Sequence, residues 1–236
     1  MASTDLARDT GFSTLSAAER VSTFLRAVYG WMAAGLAITA LTAWLIASSP
    51  AVVMAVATNQ LLFWGLVIAQ LGIVFYLSAR VQRLAPATAG MLFVLYSALT
   101  GVTISFVLLA FTGQSVATTF IVTAGMFGAL ALYGTVTARS LQGLGQFLFM
   151  GLIGVVIASV VGMFWHSSAL EFIISFIGVI VFTGLTAYDA QRLKAMSLSM
   201  PEGQTESYAI VGALSLYLDF INLFLFLLQF MGRRRD

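Results

Sequence analysis

Seven apolar runs, each close to twenty residues long, dominate this 236-residue chain. They fall at roughly 25–48, 61–79, 87–111, 116–137, 144–165, 171–188 and 206–230. At 1.5 Å rise per residue, about 20 apolar residues cross the ~30 Å hydrocarbon core of a bilayer. Runs of that length, repeated with short connections, leave no stretch long enough for a separate water-soluble domain. Composition agrees: 60% of residues are hydrophobic and 8% are charged. Soluble domains carry about 25% charged residues, so this chain lacks the polar surface to cover a globule in water. The expected class is an all-α membrane protein of seven transmembrane helices in contact with the lipid bilayer. Three parts are expected: a polar cytoplasmic tail at 1–22, a transmembrane domain at 23–231 and a basic tail at 232–236. A short surface helix is expected near Ser16–Arg20.

Several function classes drop out. The chain has no cysteine, which excludes disulfides, thiolate metal sites and cysteine nucleophiles. A single histidine, His166, does not suffice for a histidine zinc site. No Gly-rich phosphate loop and no basic–aromatic interleaving point to nucleotides or nucleic acid. Asp5, Arg8 and Asp9 precede the first run, which is itself long enough to span, so no signal peptide is expected.

Pro50, Pro86 and Pro201 all lie between runs, consistent with proline's poor fit in a helix interior. The connections at 49–60, 112–115 and 166–170 contain no Lys or Arg. Arg80 and Arg83 follow the second run, Arg139 follows the fourth, and Arg192 and Lys194 follow the sixth. Basic residues mark the cytoplasmic side, so the N-terminus is expected in the cytoplasm. Arg233, Arg234 and Arg235 break the pattern, because seven full spans put them outside. Either the last run re-enters without crossing, or the tail is an exception; seven spans with an outer C-terminus is the preferred reading. Small residues recur every four positions at Ser97, Gly101 and Ser105, and at Gly154, Ala158 and Gly162, as expected of ordinary helix packing in lipid.

Asp219 stands apart. It has more than ten residues of the seventh run on either side. An ionised Asp at mid-span costs about 2.5–3.5 kcal/mol even on lenient insertion scales, so it should face protein or water and have a partner. Tyr208, Gly212, Ser215, Asp219, Asn222, Phe226 and Gln229 follow alternating steps of four and three, which places them on one stripe. Tyr208, Ser215, Asn222 and Gln229 are thereby candidate pore-facing polar residues. A buried Asp and Asn that only hold helices together is the structural alternative. Asp189, at the end of the sixth run, taken alone reads as a boundary residue beside Arg192. His166 and Glu171 read as solvated loop residues.

Two stretches, TGLTAYDAQRLK at 183–194 and ALSLYLDFINLFLFLLQF at 213–230, closely resemble adjoining hallmarks of the Bax inhibitor family. LSARVQRLAPATAGMLFVLYSALTG at 77–101 is similar to the family's second-to-third-span region. The Ala-rich sequence and short tail resemble a bacterial member, which implies a bacterial cytoplasmic (inner) membrane location. The resemblance implies that the polar seventh helix is central in the bundle. It implies a pH-sensitive calcium leak, with Asp189 and Asp219 as a proton- and Ca²⁺-responsive dyad that also forms a weak Ca²⁺ site. It further implies an arginine latch from the second span, assigned to Arg80 with Arg83 as the alternative. Ca²⁺ and protons are then the ligands, and no other cofactor is expected. The alternative from the same resemblance is a regulatory membrane protein that modulates a membrane protease or stress response without conducting ions. An intramembrane enzyme is not expected: the aspartates are flanked by Tyr188, Ala190, Leu218 and Phe220, with no Gly-Asp proteolytic motif.

Overall fold

Prolines set two of the helix starts. Pro50 and Pro86 each occupy a first helical position, where the missing N–H is not needed and the fixed φ suits the helix. The structure is a computed structural model that describes residues 17–80, 83–165, 167–200 and 204–235. Most of the expected tail at 1–22, His166 and Pro201 lie outside the described residues. In chain order the helices are α1 (Ala17–Ala47), α2 (Pro50–Thr58), α3 (Gln60–Arg80), α4 (Pro86–Ala110), α5 (Gly113–Val136), α6 (Gln142–Phe164), α7 (Ser168–Ser199) and α8 (Thr205–Met231). All but α2 are long and apolar enough to cross a membrane. This is an all-helical, seven-span membrane protein.

Three details correct the sequence reading. The 49–60 connection holds α2, a nine-residue apolar helix. At about 14 Å it is too short to span and was hidden by a reading based on run length. The short helix expected near Ser16–Arg20 is the first turn of α1, which continues unbroken into the span. The sixth helix does not stop near 188 but runs to Ser199. Asp189, Arg192 and Lys194 end the apolar run, yet Ala190, Gln191, Arg192, Leu193, Lys194 and Ala195 are good helix formers. Polarity stopped there; helicity did not.

The chain divides into two compact units, 1–107 with 193–214, and 108–192 with 215–236. In the first unit, α1 and α4 run side by side in the same direction. Trp31 meets Gly90, Gly35 meets Phe93 and Ser97, and Gly101 meets Thr39 and Thr42. A Cβ on Gly101 would come within 2.6 Å of the Thr42 Cβ, so only glycine permits this approach. Thr39 Oγ1 donates to the Ser97 carbonyl at 2.8 Å, and Ser97 and Ser105 are buried. The start of α8 belongs to the same unit; Ser207 Oγ donates to the Leu84 carbonyl at 2.8 Å.

In the second unit α7 is the common partner. It runs antiparallel to α6, with Gly145 beneath the Tyr188 ring, Gly184 against Leu148 and Gly151 against Val181. Gly134 of α5 meets the Ala187 backbone of α7, leaving no room for a side chain. Of the stripe on α6, Gly162 packs near Ile174, whereas Gly154 faces open space. Gln191 clamps the α5–α6 connection: its Nε2 donates to the Arg139 carbonyl and its Oε1 accepts from Leu141 N–H, both at 2.8 Å. Phe220 of α8 packs edge-on against Phe120 and Phe127 of α5. In the most apolar window of α8, 67% of residues are buried, against 6% in α3, so α8 faces protein where α3 faces outward.

Candidate functional site

The antiparallel pairing of α7 with α8 decides which polar groups meet. Gly178 lies against Phe226 and Ser175 against Gln229, so the same register carries Asp189 to Ser215. The Ser215 hydroxyl donates to Asp189 Oδ2. One helical turn further along α8 sits Asp219, four residues from Ser215, on the same face.

Both carboxylates line one cavity of about 500 Å³. Ser215, Leu218 and Asn222 of α8 contribute to its wall, and Tyr188 and Arg192 of α7 flank Asp189. Gln142 and Gln146 of α6 complete the polar lining. Asp219 is 5% exposed, and its Oδ2 has no hydrogen-bond partner among the described residues. A buried carboxylate oxygen without a donor is tolerated only when it carries a proton or meets a cation. Asn222 turns its amide N–H back to the Leu218 carbonyl at 2.8 Å. No group of three or more His, Cys, Asp or Glu side chains is placed to hold a metal among the described residues. Any cation here would rest on two carboxylates and on neutral oxygens.

The remaining candidates lie elsewhere. Tyr208, in the first turns of α8, belongs to the first unit and is not part of the cavity wall. Gln229 is exposed, and its Oε1 accepts from Ser175 Oγ at 3.1 Å. Arg80, the last residue of α3, and Arg83 are both exposed and belong to the first unit. Gln142, Gln146, Tyr188 and Arg192 were missed as lining residues. The glutamines had a signal: they sit four apart at the start of an apolar run, and that spacing puts them on one helix face.

A family model described as Inhibitor of apoptosis-promoting Bax1 matches residues 21–236. The chain belongs to the Bax inhibitor family. It is 52% identical over 218 residues to the inner membrane protein YbhL of Escherichia coli, covering 91% of this chain and 93% of that one. A protein of Deinococcus radiodurans is 48% identical over 219 residues, covering 92% and 93%. One of Borreliella burgdorferi is 44% identical over 216 residues, covering 90% and 93%.

In this Bax inhibitor protein the α7–α8 interface next to the cavity is apolar. Phe182 and Leu185 line the cavity and also enter an apolar cluster with Val181, Ile174, Leu223 and Leu227. The Phe226 ring stacks on Phe182 with centroids 5.8 Å apart and lies over Gly178, whose missing Cβ would be 2.6 Å from it. At the far end of α8 the C-terminal arginines are held by their backbone. Thr112 N–H donates to the Arg233 carbonyl at 3.0 Å, and Arg235 N–H donates to the Ala110 carbonyl at 2.9 Å. Arg233 N–H donates to Ser115 Oγ at 2.9 Å, and the Arg234 guanidinium pairs with Glu171 at 3.0 Å. Glu171, read as a solvated loop residue, is in the first turn of α7 and is the partner of Arg234. The tail therefore lies at the same end of this unit as the 110–115 and 167–171 segments. That geometry is the one α8 gives by crossing fully, and it removes the re-entrant alternative.

Proposed function

We propose that this protein is a slow, pH-controlled calcium leak pathway whose proton- and cation-responsive element is the pair Asp189 and Asp219. The observation that carries the reading is the buried Asp219 Oδ2, without a hydrogen-bond partner among the described residues, on a cavity that Asp189 also lines. Calcium takes six to eight oxygen ligands. Two carboxylates with Ser215, Asn222, Gln142, Gln146 and water make a weak, partly hydrated site of the kind that lets an ion leave as well as enter. Two carboxylates at one cavity also share their protons, so titration belongs to the pair. The apolar cluster around Phe182, Leu223, Phe226 and Leu227 acts as the closed barrier along this path, since a dry hydrophobic constriction blocks ions by excluding water. The central position of α8 is part of this proposal, and its burial supports it.

Resemblance puts a latch for one aspartate at the cytoplasmic end of the second span, where Arg80 is preferred because it is closer to the apolar run and Arg83 is the alternative. Arg192, which lines the cavity, is a third candidate that replacement experiments separate. The name of the Escherichia coli relative supports an inner-membrane location, and the basic connections support a cytoplasmic N-terminus.

The deciding experiment is Ca²⁺ efflux from liposomes containing the purified chain, between pH 6 and 8. The double variant Asp189→Asn with Asp219→Asn keeps size and removes titration. Wild-type flux that changes with pH and flattens in the double variant supports the proposal. Unchanged pH-dependent flux in a correctly inserted double variant overturns it. No flux in the wild type favours a non-conducting regulator of a membrane protease or stress response.

A further inference from the structure

The first unit carries a second cavity, of about 850 Å³, that the dyad mechanism does not use. It is a groove rather than a chamber. Its floor is the stripe Pro86, Gly90, Val94 and Ala98 of α4, at four-residue steps along one face. Ala27 and Trp31 of α1 form one wall, and Ala209 and Ile210 of α8 the other. Small residues open it and one indole closes its side: Gly90 lies against the Trp31 ring, 3.0 Å from where a Cβ would be. From Pro86 to Ala98 the groove follows α4 for about 18 Å, close to half of the ~30 Å hydrocarbon thickness. Met91 and Leu95, on its rim, are 69% and 49% exposed. The groove thus opens toward the surface that lipid covers and runs the depth of one leaflet.

One charged side chain interrupts this apolar lining. Glu206 lies on the groove in the first turn of α8. The Ser207 bond to the Leu84 carbonyl fixes that turn at the Pro86 end, where α4 begins. The helix dipole favours an acid in a first turn, but it favours it at any angle around the helix. It does not explain why the acid stands on the rim of an acyl-sized groove. Two exposed arginines sit in the chain near lining residues at the same end, Arg26 next to Ala27 and Arg83 three residues before Pro86.

We propose that this groove binds one acyl chain of an aminophospholipid, with the primary ammonium of its ethanolamine headgroup on Glu206 and its phosphate at the Arg26–Arg83 end. The chemistry selects among headgroups. A primary ammonium offers three N–H donors to a carboxylate, in the stronger, charge-assisted class of hydrogen bond. A choline headgroup has the same charge but no donor. A glycerol headgroup leaves the lipid anionic, without a cation to offset Glu206.

The test uses the full chain in detergent and native mass spectrometry, with phosphatidylethanolamine, its N,N,N-trimethyl counterpart and phosphatidylglycerol of identical acyl chains. Wild type should retain the ethanolamine lipid about tenfold over the choline lipid, the factor that one charge-assisted hydrogen bond supplies. Glu206→Gln should reduce that preference to near unity while leaving some retention of all three. Ala98→Phe, which fills the deep end, should reduce retention of all three together. Equal retention of ethanolamine and choline lipids by wild type overturns the proposal, and this comparison needs no variant to fold. An undiminished preference in Glu206→Gln overturns it as well. Neither outcome depends on whether the protein conducts calcium.

Discussion

The Ser215 hydroxyl donates to Asp189 Oδ2 and ties α8 to α7 one turn from Asp219. That bond makes Asp189 a positioned group rather than a boundary charge. It also links the two helices that carry the carboxylates.

The strength of that link reports the state of Asp189. Ser215→Ala and Asp189→Ala, separately and together, form a double-mutant cycle read by unfolding in detergent; alanine is used at 189 because asparagine would still accept from the Ser215 hydroxyl. A bond to an ionised carboxylate should give a coupling of about 1.5–3 kcal/mol, and a bond to a neutral acid nearer 1 kcal/mol. A coupling below about 0.3 kcal/mol at every pH between 5 and 8 contradicts the bond.

Phe226→Ala should raise basal Ca²⁺ efflux, because it removes the ring that stacks on Phe182 and covers Gly178. The same change should lower stability by about 1–3 kcal/mol, less than for a fully buried aromatic because the Phe226 ring is only partly buried. Efflux unchanged at pH 8 in folded Phe226→Ala places the barrier elsewhere.

Glycine substitutions separate crowded from open positions. Gly134→Ala drives a methyl into the Ala187 backbone, which cannot give way, so α5 and α7 must part. A loss above about 3 kcal/mol, or failure to fold, is expected in a thermal-shift assay. Gly154→Ala meets nothing within 4 Å and should stabilise by about 0.5–1 kcal/mol through helix propensity. Equal shifts in the two variants contradict the packing.

Single cysteines in this cysteine-free chain test the side on which the tail lies. Ser115→Cys and Arg235→Cys should label from the same side of the membrane, and Ser140→Cys from the other. Labelling of residue 235 together with residue 140 contradicts a full crossing by α8. Glu171→Gln, by contrast, should barely change stability, because the Arg234 pair is exposed and such pairs contribute under about 1 kcal/mol.

Run length made the seven spans legible, since a bilayer imposes one length on every crossing segment. Asp219 was legible for a similar reason: a charge in mid-run has no cheap explanation in lipid. The true place of Asp189 was not, because hydropathy falls at Asp189 while helix propensity continues through Lys194. Family resemblance, not periodicity, singled it out, and the structure places it on the cavity that Asp219 also lines. The cavity's other walls were invisible because Gln142 and Gln146 come from a third helix, and no local pattern says which helix faces which. The end of α8 was ambiguous from charge alone. The bonds of Arg233 and Arg235 to the 110–112 backbone, distant in sequence, supply what charge counting lacked.

The same bonds carry a practical warning for anyone tagging this protein. An affinity tag or fluorescent reporter joined after residue 236 begins two residues beyond a backbone donor, that of Arg235, which is engaged with Ala110. A bulky fusion there would tug on the seam between the tail and the α4–α5 connection and could loosen α8, the helix that bears Asp219. A cleavable tag at the N-terminus avoids that seam, and a protease-released C-terminal tag makes the comparison that reveals any such artefact.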